Sequence, residues 1–281
     1  MRLEPEQFRA WERKAITLLG MSGVGKTRLA CQLRKQNWFH YSCDYRIGTR
    51  YLDEPILDNI KLQAMKIPIM RELLLSDAIH IVNNISVDNL KPLSTYLGKL
   101  GNPELGGIGL EEFKHRQALH LDAEIAAMND VPKFIRKANE VYGYEHFIND
   151  ASGSLCELES EEVIRNLAEH TLIIYIKATE DDEKALIHRS ESDPKPLYFR
   201  EAFLDEQLAE YLETKGLEYA AQVTPDDFVR WVFPRLFYAR IPRYQAIADE
   251  HGYTISTTDI ESIQDENDFN KVISAALGQS N

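Results

Sequence analysis

The feature that most constrains the fold is a glycine-rich run between an apolar stretch and a helix-forming one. The apolar stretch is AITLL at 15–19, and GMSGVGKTRLACQL follows at 20–33. A short apolar run bounded by turn residues predicts a strand buried on both faces, as in a parallel sheet. Leu29 and Leu33, four residues apart, predict a helix directly after the glycines. A strand, a glycine loop and a helix in this order predict an α/β fold.

The glycine-rich run matches the pattern G-x-x-x-x-G-K-[ST], which is typical of a loop that binds nucleotide phosphates. Glycines allow backbone N–H groups to turn inward around phosphate oxygens, and the following helix N-terminus adds partial positive charge. A loop of small residues can match by chance, but the strand before it and the helix after it are the context that the motif requires. We therefore predict that the chain binds ATP through Gly20, Gly23, Val24, Gly25, Lys26, Thr27 and Arg28, with Thr27 also holding Mg²⁺.

The rest of the chain alternates strand-like and helix-like segments, which predicts a parallel sheet with helices on both faces. Further strands are expected at 39–42, 146–148, 172–178 and 253–257, and the main helices at 109–128, 157–168, 201–214, 225–249 and 260–277. Residues 52–107 break the alternation. We predict one domain over 1–281 with an insertion at 52–107 that is mainly helical at its start and is a candidate docking site for a protein partner.

Charge and cysteine content narrow the function classes. The formal net charge is −13, and no run of five or more Lys or Arg occurs. Such a surface repels nucleic acid and anionic membranes, so neither is expected as a partner. Three cysteines without CxxC spacing predict reduced thiols, and the charged N-terminus does not resemble a signal peptide. Since the longest apolar runs are also too short to span a bilayer, a cytoplasmic location is predicted.

Several later segments resemble, in the same order, those of the shikimate kinase family. Residues 239–257 (ARIPRYQAIADEHGYTIST) are similar to its C-terminal Arg-x-Pro-x-Tyr region, with Arg240, Pro242 and Tyr244 at the matching positions. Ser42-Cys43-Asp44 resembles an Asp-x-Asp pair after the second strand. DPKPLYF at 193–199 is similar to the lid segment, and Glu112-Phe113-Lys114 to the substrate-binding helix. The resemblance covers residues 15–50 and about 108–278.

The resemblance implies a P-loop NTPase-type parallel sheet sandwiched by helices, and it implies use of ATP and Mg²⁺. Four positions depart from the family pattern. Ser42 replaces the first Asp of the pair, Lys114 an Arg, Ala151-Ser152-Gly153 a Gly-Gly-Gly turn, and Lys195 an Arg. We therefore expect an ATP-dependent phosphotransferase whose acceptor is a small, anionic hydroxyl compound other than shikimate. An ATPase or a nucleotide-binding regulator with a protein partner is the alternative, and a kinase-like binding module is a third reading.

Two acidic residues follow predicted strands and are candidates for chemistry. Asp44 suits the deprotonation or alignment of an acceptor hydroxyl, although an Asp after a strand is also a common helix N-cap. Asp150 suits binding of Mg²⁺ through water if its strand lies beside the glycine-loop strand. It is equally compatible with a structural role as a turn Asp in Asn-Asp-Ala-Ser-Gly.

Several residues become candidates through the resemblance. Arg189 and Lys195 are expected to cover the phosphates from the lid, where cations neutralise developing charge. Arg240 and Lys114 are expected to hold an anionic acceptor, with the turn residues Ser152 and Gly153 beside it. Ordinary surface charge is the competing interpretation for the lid cations.

Overall fold

The computed structural model describes residues 2–278, and its centre is a five-stranded, fully parallel sheet. The order across the sheet is β2-β3-β1-β4-β5, so the strand that precedes the glycine loop is the central one. Because all five strands are parallel, their carboxyl ends meet at one edge of the sheet. The strands are β1 (Ala15–Leu19), β2 (Trp38–Ser42), β3 (His146–Asp150), β4 (Leu172–Lys177) and β5 (Gly252–Ser256).

Helices flank the sheet and supply the crossover connections that parallel strands need. They are α1 (Pro5–Ala10), α2 (Lys26–Arg34), α3 (Cys43–Arg46), α4 (Asp53–Ala64), α5 (Pro68–Leu75), α6 (Lys91–Leu97), α7 (Leu110–Asn129), α8 (Val131–Glu140), α9 (Glu161–His170), α10 (Glu180–Ser192), α11 (Glu201–Lys215), α12 (Pro225–His251), α13 (Thr257–Glu261) and α14 (Glu266–Gly278). A π-helical turn, Ile47–Tyr51, joins α3 to α4, and three short 3₁₀ turns lie at Pro103–Leu105, Leu155–Glu157 and Ala220–Gln222.

The central strands are apolar because helices cover both of their faces. Every residue of β1 and β3 is buried, as are the first five residues of β4. Buried polar groups are usually paired by hydrogen bonds, and three side chains inside this layer bond to one another. The Thr17 hydroxyl lies 2.8 Å from that of Thr171 and accepts from the Asn149 amide at 3.2 Å. The predicted α/β class is therefore confirmed.

A second, smaller apolar core lies away from the sheet, where α7, α11 and α12 meet. Aromatic rings dominate it, because Phe and Tyr each bury a large apolar area in a small space. Phe113, Phe199 and Phe228 are almost completely buried there. The members of this second core are Leu100, Phe113, Phe199, Phe203, Leu204, Leu208, Tyr211, Val223, Phe228, Val232 and Leu236.

Residues 52–107 begin with α4 and α5 and then continue through α6, so the segment is helical at its start. Ile56 and Leu93 are buried in the main core, and Leu100 belongs to the second core. By contrast, no residue of α5 is buried. Whether the segment is an insertion into one domain stays a prediction. Over the described part of the chain, residues 2–278, no helix combines the length and the apolarity that a membrane crossing requires.

Candidate functional site

The glycine-rich loop joins the end of β1 to the start of α2 and adopts a backbone that favours glycine. Gly20, Gly23 and Gly25 have φ values of 140°, 96° and 97°. Side-chain-bearing residues rarely adopt these angles, so the glycines allow the tight turn. The loop therefore curves over the carboxyl end of the central strand and leads straight into a helix N-terminus.

The amino end of α2 offers backbone donors that the helix itself does not use. Its N-cap is Gly25, which has no side chain to accept from the first turn. The first intrahelical bond at this end runs from the Leu29 N–H to the Gly25 carbonyl at 3.0 Å. The backbone N–H groups in the first turn of α2 therefore remain available to an anion, and the helix dipole adds to the attraction.

The Lys26 side chain is folded back onto the loop. Its ammonium donates to the carbonyls of Gly20 at 2.7 Å and Met21 at 3.1 Å. Burial lowers the pKa of Lys26, while the nearby Asp150 and Asp44 carboxylates act in the opposite direction. A buried cation that is held only by carbonyls and distant carboxylates suits a phosphate group, whose charge would offset the cost of its burial.

A cavity of about 540 Å³ opens at the carboxyl edge of the sheet, around this loop. It extends from the end of β2, across the loop on the central strand, to the residues that follow β5. Its walls bring together ten of the predicted site residues, which are Gly23, Val24, Gly25, Lys26, Thr27, Arg28, Asp44, Asp150, Gly153 and Arg189.

Asp44 faces this cavity from the first turn of α3, and it is not the N-cap of that helix. The cap is Ser42, whose hydroxyl accepts from the Tyr45 N–H at 3.3 Å. Burial raises the pKa of Asp44 to about 6, the Asp150 charge adds to the rise, and Lys26 opposes it. The capping interpretation of Asp44 is therefore wrong, and its partly buried carboxylate titrates close to neutral pH.

Asp150 is the last residue of β3 and lies beside both neighbouring strands. It stands opposite Leu18 on β1 and opposite Ser42 on β2. The predicted adjacency of its strand to the glycine-loop strand is therefore confirmed. Its carboxylate lies 3.4 Å from Nε2 of His40, whose other ring nitrogen lies 3.8 Å from the Cys31 sulfur. These contacts restrict the orientation of a carboxylate that lines the cavity.

Arg189 covers the glycine loop from α10. A methyl group added at Gly23 would lie 2.3 Å from Nη2 of Arg189, so the guanidinium is in contact with the loop backbone. The structure therefore brings this predicted lid cation to the loop.

The turn after β3 approaches the glycine loop from the other side. A methyl group added at Gly153 would lie 2.9 Å from the Ser22 backbone nitrogen. Behind this turn, the carboxylate of Glu124 on α7 accepts hydrogen bonds from the hydroxyls of Ser152 and Ser154. Glu124 is fully buried, and burial raises its pKa to about 7 although the two serines oppose the rise.

Ser152 is therefore a support of the turn. Its hydroxyl points to Glu124 and to Ser154, away from the residues that line the cavity. The prediction that Ser152 contacts an acceptor does not agree with this position. Gly20 also lies outside the lining, at the base of the loop, where its carbonyl accepts from Lys26.

Arg240 was expected to hold an anionic acceptor, but protein groups already engage its guanidinium. It donates to the Glu157 carboxylate at 3.2 Å, the Gly153 carbonyl at 2.8 Å and the Tyr198 carbonyl at 2.8 Å. The side chains of Arg240 and Glu157 are 5% and 1% exposed. Arg240 thus joins the turn after β3 to the segment after α10. Because its guanidinium is bonded to protein groups, the prediction that Arg240 holds an anionic acceptor is wrong for this structure.

The two predicted lysines also lie apart from the cavity. Lys114 points to α11, where its ammonium lies 3.1 Å from Glu201 and 2.6 Å from Asp205. Lys195 is 68% exposed and lies 3.5 Å from Asp193. Neither Lys114 nor Lys195 lines the cavity.

Sequence reasoning missed the wall of the cavity that α10 and α13 form. Thr179 is the N-cap of α10, and its hydroxyl donates to the carboxylate of Asp182 in the first turn of that helix. The same carboxylate accepts from the hydroxyl of Thr257, so α10 is joined to the start of α13. The Thr-x-x-Asp pattern at 179–182 is a recognisable capping signal. Its link to Thr257 is a contact between distant parts of the chain. The other residues of this wall are Ala185, Leu186, Ile260 and Glu261.

Comparison with known proteins leaves the family open. No family model matches the chain, and no curated protein matches it either. Among solved structures, shikimate kinase from Bacteroides thetaiotaomicron is similar over 95% of each chain, with 14% identity and a TM-score of 0.41.

The chain's own sheet, loop and cavity define its class. A parallel sheet carries a glycine loop on its central strand, and the lysine of that loop lies at the amino end of a helix. The chain has a P-loop α/β fold.

Proposed function

We propose that the protein is an ATP-dependent, Mg²⁺-requiring phosphotransferase whose acceptor is a hydroxyl group of a small metabolite other than shikimate. The observation that carries the proposal is the position of Asp44. It lines the same cavity as Lys26 and Thr27, but it lies in α3 directly after β2, two strands away from the loop. A P-loop alone explains nucleotide binding, whereas a carboxylate in this place can serve a second reactant.

The sheet order supports a division of the cavity among the two substrates and the metal. The phosphates of ATP belong over the central strand, at the loop amides, Lys26 and Arg189. The base belongs on the β5 side, where Leu186 and Ile260 offer apolar contact. The acceptor is then left with the β2 side, beside Asp44 and the turn that contains Gly153.

Thr27 and Asp150 are the residues that fit Mg²⁺. Thr27 is an exposed hydroxyl in the first turn of α2, and Asp150 is a cavity-lining carboxylate on the adjacent strand. Hydroxyl and carboxylate oxygens are ligands that Mg²⁺ accepts, the carboxylate often through water. The ion would neutralise charge on the transferred phosphoryl group.

The transfer needs only these parts. The acceptor oxygen forms a bond to the γ-phosphorus of ATP, and the bond from that phosphorus to the β,γ-bridging oxygen breaks. Asp44 takes the proton of the hydroxyl, and the products are ADP and a phosphate monoester. Lys26 and Arg189 stabilise charge that spreads over the phosphoryl oxygens.

A nucleotide-driven regulator is the second candidate, and the surface of α5 favours it. Ile69 and Leu75 are 65% and 68% exposed, and no residue of this helix is buried. Large apolar residues exposed on a helix that buries nothing in its own fold are typical of a surface that binds another protein. In that case hydrolysis of ATP would control the partner, and Asp44 would align a water molecule.

The variant Asp44→Asn tests the proposal, because it removes charge and basicity while it keeps size. We expect acceptor-stimulated ADP release to fall roughly a hundredfold or more, the usual range for a general base, with little change in ATP affinity. Ser42→Ala is the matched control, since it removes the helix cap and leaves the carboxylate in place. An unchanged acceptor-stimulated rate in Asp44→Asn would refute the role, and loss of Mg²⁺-dependent ATP binding would reassign Asp44 to the metal site.

A further inference from the structure

The charge of the cavity on the β2 side indicates which kind of hydroxyl compound it accepts, an inference that rests on the proposed function. Within the described residues, the cations that line the cavity are Lys26, Arg28 and Arg189. Two of them belong to the glycine loop and the start of α2, and the third covers that loop from α10. All three therefore lie on the side of the cavity that we assign to the phosphates of ATP, and none lies on the β2 side.

Two arginines near the β2 side, Arg240 and Arg46, are committed to protein partners. Arg240 is the more buried, and its withdrawal would leave Glu157 buried with Arg200 as its remaining cationic partner. Arg46 donates twice to one oxygen of Asp130, at 2.8 Å and 2.5 Å. Releasing either guanidinium would leave a buried or half-buried carboxylate without that ion-pair partner, which costs free energy.

Carboxylates remain on this side of the cavity. Asp44 and Asp150 both line it, and Glu124 lies behind the Ser152 turn. Mg²⁺ would offset Asp150, but Asp44 must be ionised to accept a proton. A negatively charged acceptor would therefore meet a carboxylate on a side of the cavity that no described cation lines. Like-charge contact of this kind is how binding sites reject the wrong partner.

We infer that the acceptor is an uncharged or amine-bearing alcohol, such as a polyol, an amino alcohol or an amino sugar, and that carboxylate- and phosphate-bearing alcohols are excluded. Asp44 then serves twice, as the acceptor of the hydroxyl proton and as the charge that selects the compound. This reverses the expectation of an anionic acceptor that Lys114 and Arg240 suggested.

The test uses three nitroxides of one scaffold that differ in charge, namely 4-amino-TEMPO, the neutral 4-hydroxy-TEMPO and 4-carboxy-TEMPO. Each is added to the whole protein with Mg²⁺ and ADP, and paramagnetic relaxation of the backbone amides is measured. We expect the amides of Asp44, Ala151 and Gly153 to relax about threefold or more faster with the cationic probe than with the anionic one, since a charged cleft concentrates counter-ions.

Two variants make the measurement specific to the cavity. Asp44→Asn should lower the cation-to-anion ratio at these three amides, whereas Asp58→Asn, which removes an exposed carboxylate on α4, should leave it unchanged. A ratio at or below one in the unaltered protein would overturn the inference.

A parallel measurement separates this inference from the proposed function. ADP release is followed with glucosamine, glucose and glucuronate, and with ethanolamine, ethylene glycol and glycolate. Faster release with a carboxylate member than with its amine or neutral counterpart overturns the inference. If phosphoryl transfer is absent with every metabolite, the proposed function fails, and the nitroxide ratio still decides the charge that the cavity prefers.

Discussion

The buried carboxylate of Glu124 makes stability depend on pH in a direction that is unusual for an acidic residue. Burial moves its pKa from an ordinary value near 4.5 to about 7. Between these pH values the folded protein keeps a proton that the unfolded chain has released. Stability from this group is therefore fully present below about pH 4.5 and is lost as the pH rises through about 7.

The size of the effect follows from the shift. One pKa unit corresponds to 1.36 kcal/mol, so a shift of this size contributes about 3 kcal/mol to the pH dependence of the free energy of unfolding. Glu124→Gln removes the titration while keeping hydrogen bonds to both serines, because an amide can accept from one hydroxyl and donate to the other.

The assay is urea unfolding at a series of pH values from 4.5 to 8.5, on the unaltered protein and on Glu124→Gln. The free energy of unfolding of the unaltered protein should fall by about 3 kcal/mol more than that of the variant across this range. Asp44 titrates in both proteins, so the difference between their free energies of unfolding reports the titration of Glu124 and its coupling to Asp44. Glu111→Gln, an exposed position on the same helix, is the control. Parallel curves for the unaltered protein and Glu124→Gln would show that the carboxyl is not held as described.

Four further outcomes are expected. Lys26→Ala should abolish tight binding of ATP with Mg²⁺, as measured by calorimetry, because the buried cation of the phosphate loop is lost; unchanged affinity together with unchanged turnover would refute the loop assignment. The value of kcat/KM should rise about tenfold per pH unit up to about pH 6 and then level off, because the Asp44 base must be ionised and its pKa is about 6; a flat profile from pH 5 to 7 would contradict this. Arg240→Ala should lower the free energy of unfolding by about 3–5 kcal/mol, the usual cost of leaving a buried partner charge unpaired, whereas a stable variant with a raised KM would restore Arg240 to the acceptor site. Lys114→Ala should leave kcat and KM unchanged, since its partners are surface carboxylates of α11, and a large rise in KM would contradict its placement.

The fold and the glycine-loop part of the cavity could be predicted because their signals are local. The apolar run before Gly20 and the leucines after Lys26 lie within 20 residues of one another, and each indicates its own element. Asp150 was predictable as a cavity residue once β3 was placed beside β1. Even α12, which contains Pro234 and Pro242, was expected as one helix from its apolar spacing.

The positions of Arg240 and Lys114 could not be predicted because their contacts join distant parts of the chain. Arg240 lies 83 residues from Glu157, and Lys114 lies 87 residues from Glu201. The sequence shows a cation in each case but not whether its partner is a ligand or a carboxylate of the protein. On α7, polar residues occur on both the buried and the exposed faces, so apolar spacing did not indicate that Glu124 points inward.

The fate of the γ-phosphate tests the central claim most directly. Phosphorus NMR should follow the protein with ATP, Mg²⁺ and a fractionated pool of small metabolites, beside the same mixture containing Lys26→Ala. The account predicts a new phosphate monoester signal that grows in step with ADP, that comes from uncharged or amine-bearing fractions, and that is absent with the variant. Inorganic phosphate as the sole new phosphorus product, at the same rate with and without metabolites, would contradict the account and identify an ATPase.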